Sequence, residues 1–199
     1  IFKSSMNLAR IKCLSMLLGA LCTVQTVCLS KLAAAFDNKA SRESSFRRIQ
    51  RFMAQMVLDL DAVARYLKSR IPFDGPYTLT MDRTNWKFGE VNINVLVLGI
   101  AYDHMSFPIL FRLLPKRGNS NCKERINIME RFIRLFGRDS IKCLVADREF
   151  VGNEWFKWLN DSAIQYHIRI RDNFWVEDPR TGRKIRAQHI FANLKHGEE

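Results

Sequence analysis

The sequence predicts an α/β fold, a mixed sheet in the order β-β-β-α-β-α-β preceded by a helical N-terminal region. Three observations predict it. After the Pro- and Gly-bearing segment "IPFDGPY" (Ile71 to Tyr77) the apolar spacing changes from a helical period to strand-like runs. Three such runs follow one another with short turns, which is an antiparallel meander. Two further apolar runs each come after an amphipathic helix, the pattern of crossover connections onto a sheet.

The elements take their order from local chemistry. In the first 70 residues Leu8, Ile11, Leu14, Leu18 and Leu21 recur at three-to-four spacing, and "LSKLAAAF" is a short helical segment closed by the turn-prone "DNKAS". "SRESSFRRIQRF" follows, with Phe46, Ile49, Phe52 and Met53 on one face and Arg47, Arg48 and Arg51 elsewhere. Two short helices about a turn, the second arginine-rich near its start, outline a helix-turn-helix; a solvated basic face on a bundle helix is the alternative.

Beyond the linker, "YTLTMDRT" and "VNINVLVLGIAYD" read as strands. "SFPILFRLLPK" reads as a third, which Pro108 pushes to an edge or a bulge. "NCKERINIMERFIRLFG" is an amphipathic helix with Ile126, Met129, Phe132, Ile133 and Phe136 inward and Gly137 at its end. "IKCLVADREF" is a nearly continuous apolar run, the mark of a strand buried on both faces. "NEWFKWLND" is a helix and "AIQYHIRIRDN" a strand. This order describes the ribonuclease-H-like arrangement, in which the first and fourth strands can lie side by side.

Charge points to the class of partner. The chain has 199 residues, a formal net charge of +12 and a pI near 9.8, so polyanions such as nucleic acid or an anionic membrane face are favoured. Residues 1–70 hold 12 Lys/Arg against 4 Asp/Glu, so the excess is concentrated there. The segment "CLSMLLGALCTVQTVCLSKLAAAF" resembles a secretory signal in outline, but Gln25, its threonines and Lys31 make it too polar for a comfortable span. Cys13, Cys22, Cys28, Cys122 and Cys143 form no C-x-x-C pair, so neither a disulfide framework nor a zinc site is expected.

Asp82 in "TLTMDRT" and Asp147 in "CLVADRE" each follow an apolar strand and precede an arginine. A lone aspartate in that place reads as a turn or capping residue. The pair, on the two strands that this topology brings together, favours a metal site: two adjacent carboxylates repel unless divalent cations sit between them. Mg²⁺ takes a few carboxylates plus water and phosphate oxygens, and two ions about 4 Å apart serve phosphoryl transfer. Glu149 is expected to pair with a nearby arginine. His104, His167, His189 and His196 are scattered without metal-ligand spacing.

"MDRTNWKFG", "GNSNCKER" and "VADREFVGNEWFKWL…IRIR" resemble the catalytic-core motifs of insertion-sequence DDE transposases, bacterial cut-and-paste enzymes with a ribonuclease-H-like core. "TVCLSKLAAAF" and "SRESSFRRIQRF" resemble that family's N-terminal DNA-binding region. The resemblance implies that Asp82 and Asp147 are the first two acids of the DDE triad, holding two Mg²⁺ ions, for which Mn²⁺ can substitute. It implies double-stranded DNA as partner, both element ends and target, a homodimer in the DNA complex, and a bacterial cytoplasmic, nucleoid-associated location without membrane contact.

The domains implied are a DNA-binding region over 1–70, a linker over 71–76, an incomplete core over 77–173 and the start of a β-rich insertion over 174–199. The family's third acid is the glutamate of Y-x2-R-x3-E-x6-K. Tyr166 and Arg169 have the Y-x2-R spacing by coincidence, since Asn173 stands where Glu belongs and they lie on the fifth strand itself, and Glu198 and Glu199 have no matching context. The expectation is therefore a C-terminally truncated, inactive or nearly inactive chain. A non-catalytic DNA-binding regulator is the alternative, and a ribonuclease-H-like nuclease with another substrate a third. Arg42, Arg47, Arg48 and Arg51 are the expected DNA contacts of the helical region; Arg83, Lys116 and Arg117 are candidates to line a DNA channel.

Overall fold

The computed structural model describes residues 6–178, 180–190 and 192. Glu198, Glu199 and His196 lie outside them. The chain forms two compact units, residues 1–67 and 68–199.

The first unit is helical: α1 (Leu8–Val24), α2 (Leu29–Ala34), α3 (Arg42–Gln55) and most of α4 (Leu60–Ser69). Asn7 caps α1 and Ser41 caps α3, each side chain accepting from the backbone N–H three residues on. Cys13, Leu17, Ala20, Leu32, Ala33, Phe36, Ile49 and Phe52 form its core. The expected stripe on α1 is displaced. Leu8 and Leu18 are 65% and 54% exposed, and the buried face is Cys13, Leu17 and Ala20. α1 is apolar almost all round, so leucine spacing does not single out a face. On α3, Ile49 and Phe52 are buried as expected, whereas Met53 is exposed. Among the described residues no helix is long and apolar enough to cross a membrane.

The second unit holds a five-stranded sheet in the order β3-β2-β1-β4-β5. β1 (Tyr77–Phe88), β2 (Val91–Tyr102) and β3 (Met105–Leu113) make the antiparallel meander; β4 (Ile141–Ala146) and β5 (Tyr166–Ile168) add on in parallel. This is the ribonuclease-H-like arrangement. Pro108 lies on the edge strand at a register shift, where Leu98 pairs with Leu110 and Gly99 with Pro108. The missing proline N–H is tolerated at such a bulge. Phe73, from the predicted linker, packs on Tyr77 and Tyr102 in this unit, with ring centroids 5.2 and 5.4 Å apart.

One face of the sheet is the core. Leu79, Met81, Leu96, Leu98, Ile100, Leu110, Leu144 and Ala146 are buried there. Met129 and Phe132 of α5 (Cys122–Phe136) and Trp155 and Leu159 of α6 (Asn153–Asp161) are fully buried with them. α5 begins with a reciprocal capping box of Asn121 and Glu124 and ends at Gly137, whose φ of 84° suits glycine. Its buried stripe is Arg125, Ile128, Met129 and Phe132, while Ile126, Ile133 and Phe136 are half-buried. An arginine occupies a core position that a reading by hydrophobicity gives to a neighbour.

β4 is not buried on both faces. Lys142 and Val145 are exposed, because the helices cover the face that carries Leu144 and Ala146. β5 is three residues rather than the longer strand expected. After it, β6 (Trp175–Glu177) and β7 (Lys184–Arg186) pair as a separate hairpin, and α7 (Ala187–Ile190) follows. Asp178 closes the hairpin turn, accepting from the Arg180 N–H at 2.9 Å and the Thr181 hydroxyl at 3.1 Å.

Candidate active site

Strand register places the two candidate aspartates. In the parallel ladder Met81 pairs with Ala146, so Asp82 and Asp147 are the next residues out at the carboxyl end of that ladder. Side chains alternate along a strand. Leu79 and Met81 enter the core beside Leu144 and Ala146, and Thr80 and Asp82 take the opposite face with Val145. Both aspartates line one open cleft of about 680 Å³, with Thr80, Val145, His167 and Arg169.

Both carboxylates are exposed. Asp82 Oδ1 accepts the Arg83 N–H at 2.7 Å. Asp147 Oδ1 lies 3.6 Å from Arg169 Nη1, in an ion pair whose side chains are 53% and 83% exposed. At that exposure the pair is weak and readily exchanged for another cation. Ala146 pairs with Ile168 across β4 and β5, which puts Arg169 in step with Asp147. The parallel pairing of these strands was the signal that brings Arg169 and His167 into the cleft.

The same alternation sends Arg83 away from the cleft. Its side chain is 12% exposed; Nε and Nη2 donate to Glu149 at 3.0 Å each, Nη1 to Asn94 at 3.3 Å, and Nη2 also to Asn119 at 3.2 Å. Residues 82 and 83 of one strand face opposite sides, so the arginine beside the aspartate lies under the sheet. Glu149 is paired with an arginine, as expected. Asn94, 2% exposed, donates to the carbonyls of Lys116 and Gly118 and ties the "KRGN" loop to the same network. Lys116 pairs with Glu124 at 2.9 Å, and Arg117 is exposed. Burial pushes the Glu124 carboxyl up, but the Lys116 ammonium and the Asn121 N–H outweigh it and hold it below its ordinary value.

Arg125 fixes the loop after Asp147 and was not singled out from the sequence. It is 5% exposed. Nη2 donates to the carbonyls of Ser120 at 2.7 Å and Glu149 at 2.9 Å, Nε to the Ser120 hydroxyl at 3.0 Å, and Nη1 to the Val151 carbonyl at 3.5 Å. Its guanidinium also stacks over Phe150, 5.1 Å from the ring centroid. Asp147 stands at the head of the 3₁₀ turn Arg148–Phe150 that these bonds pin, so its backbone is set from two sides.

Two hard oxygen donors at adjacent strand ends, in an open cleft, fit Mg²⁺ with positions left for water and phosphate oxygens. Among the described residues no group of three or more His, Cys, Asp or Glu could hold a metal. In the first unit Arg42, Arg47, Arg48 and Arg51 are all exposed on α3.

Comparison with solved structures finds likenesses at low identity. The HTLV-2 integrase catalytic core domain in complex with magnesium, in its dimeric form, is 14% identical over 47% of this chain and 61% of that one, with a TM-score of 0.37. The simian T-cell lymphotropic virus intasome in complex with PP2A regulatory subunit B56 gamma is 13% identical over 69% of this chain and 46% of that one, with a TM-score of 0.40. The chain thus spans less than two thirds of either. No curated protein sequence matches. Over residues 57–195, more than half its length, the chain matches the transposase DDE domain, and it belongs to that family.

Proposed function

We propose that the chain is the DNA-cutting and DNA-joining part of an insertion-sequence transposase, with Asp82 and Asp147 as its first two catalytic acids. The observation that carries this reading is the Met81–Ala146 register, which brings the two aspartates to adjacent strand ends on the cleft face. The family match supplies the chemistry expected of such a pair. Bound Mg²⁺ would activate an attacking oxygen and stabilise the leaving one in phosphodiester cleavage and strand transfer.

The protein's own part is positional. Asp82 is held on β1 by its pairing with Val97 of β2, one residue beyond the ladder with β4, and Asp147 by the turn that Arg125 pins. Arg83 and Glu149 neutralise each other beneath the sheet, which keeps Glu149 from drawing cations away from the cleft. Arg169 offsets the charge of Asp147 until a divalent ion or a phosphate takes over that role. Arg42, Arg47, Arg48 and Arg51 on α3, with Lys116 and Arg117, supply cations for double-stranded DNA, both element ends and target, in a homodimeric complex. The sequence-based expectation that cleavage by these residues alone is weak stands, because no Y-x2-R-x3-E-x6-K match occurs in the sequence.

Hydroxyl-radical cleavage of the polypeptide by Fe²⁺ loaded in place of Mg²⁺ tests the site without requiring turnover. Cuts beside Asp82 and Asp147 that excess Mg²⁺ suppresses, and that Asp82→Asn abolishes, are expected. Cuts elsewhere, or none, refute the site. The non-catalytic regulator is favoured by the same missing glutamate. It predicts tight binding to element ends with no metal-dependent nicking even when the missing acid is supplied on a complementing transposase subunit.

A further inference from the structure

Three arginines from two helices of the first unit converge on one depression. Arg10, in the first turn of α1, and Arg48 and Arg51, one turn apart on α3, line a cavity of about 230 Å³ with Asn7 at its rim. Phe52 and Cys13, 9% and 3% exposed, line it too and lend it an apolar wall. None of the three arginines has an ion-pair partner among the described residues.

Three like charges around one small cavity repel one another unless an anion joins them. The cavity also opens at the amino end of a 17-residue helix, whose dipole favours negative charge. Its volume falls below the roughly 300–1,000 Å³ usual for a whole small molecule, so it suits a group rather than a ligand. Guanidinium forks match phosphate oxygens in geometry as well as charge. The other two arginines of α3, Arg42 and Arg47, line a different depression with Ser30 and the carboxylate-bearing Glu43.

We propose that Arg10, Arg48 and Arg51 form one pocket that seats a single backbone phosphate of duplex DNA. The proposal rests on the reading of the first unit as DNA-binding, and deepens it. Three arginines that share one phosphate behave differently from three that each meet their own. Neutralising one phosphate fewer lowers the slope of log affinity against log salt by about 0.9.

The test is fluorescence anisotropy of the full chain on a labelled duplex over a range of KCl, with Arg10→Gln, Arg48→Gln and the double variant, and thermal melting to check folding. Because the phosphate is seated only when all three guanidiniums converge on it, each single variant is expected to lower the slope by about 0.9, and the double by about 0.9 as well. Unchanged slopes, or a double variant that loses about 1.8, overturn the shared pocket. A melting temperature raised by inorganic phosphate in the wild type but not in Arg10→Gln, with unchanged DNA slopes, assigns the pocket to a free anion and also overturns it. A wild type that does not bind duplex at all removes the DNA reading of this unit together with the proposal. Loss of nicking in an Asp82 variant leaves the pocket untouched.

Discussion

Replacing Arg125 by methionine removes the clamp beneath the Asp147 turn while keeping most of the side chain's apolar bulk. The substitution leaves the carbonyls of Ser120 and Glu149, bonded at 2.7 and 2.9 Å, without their donor, and the Ser120 hydroxyl and Val151 carbonyl with one partner fewer. Each buried carbonyl left unpaired costs about 1–3 kcal/mol, and the two well-made bonds therefore set a loss of about 2–6 kcal/mol. Burial holds the Arg125 guanidinium below its ordinary pKa, so part of the loss is returned when that charge is no longer desolvated. A net destabilisation of about 3 kcal/mol is expected.

For a unit of this size that is a fall of roughly 10 °C in the melting temperature, read by circular dichroism. The variant is also expected to weaken Mn²⁺ binding at the remaining folded population, because the backbone of Asp147 is no longer fixed. Arg125→Lys keeps the charge but not the fork, and should recover less than half of the stability. A methionine variant within about 0.5 kcal/mol of the wild type would refute the clamp.

Further outcomes follow from other contacts. A Cβ at Gly99 would collide with the Ser106 hydroxyl and lie 2.9 Å from the Thr80 hydroxyl and 3.0 Å from the Phe107 carbonyl. Gly99→Ala should therefore cost about 1–3 kcal/mol in urea unfolding, with Ser106→Ala recovering part of it. Glu124 has a folded-state pKa below its unfolded value, so its stabilising contribution is present at neutral pH and is lost as the pH falls through the folded value. Glu124→Gln should flatten the acid limb of a stability–pH profile and leave the neutral region with a constant offset. A double-mutant cycle of Arg83→Met and Glu149→Gln should give a coupling of about 1–3 kcal/mol, since this bidentate pair is largely removed from solvent. A coupling near zero would mean that the two groups act separately.

What could be read from the sequence, and what could not, divides along physical lines. Element order, the Pro108 bulge on an edge strand and the Gly137 helix end follow from local backbone chemistry, and the structure shows each of them. The adjacency of Asp82 and Asp147 was legible because the topology allows the first and fourth strands to pair, and both aspartates sit one residue past that pairing. Facing was harder. On α1 the apolar residues surround the helix, so the buried side is chosen by α2 and α3 rather than by the pattern. Arg125 lies in the core because its guanidinium there donates to three fixed carbonyls and a hydroxyl, a compensation that hydropathy cannot register. Val145 reads as core in an apolar run, yet it faces the cleft, since helices cover only one side of β4. Arg169 depended on the register of a three-residue strand, which no local signal sets.

Divalent-metal binding at the cleft is the most direct consequence of pairing Asp82 with Asp147. Isothermal titration of the wild-type chain with Mn²⁺, beside Asp82→Asn and Asp147→Asn, measures it, with circular dichroism to confirm that both variants fold. Binding in the wild type and its loss in each variant, at unchanged folding, is the predicted result. Wild-type affinity retained in either variant would contradict the paired site.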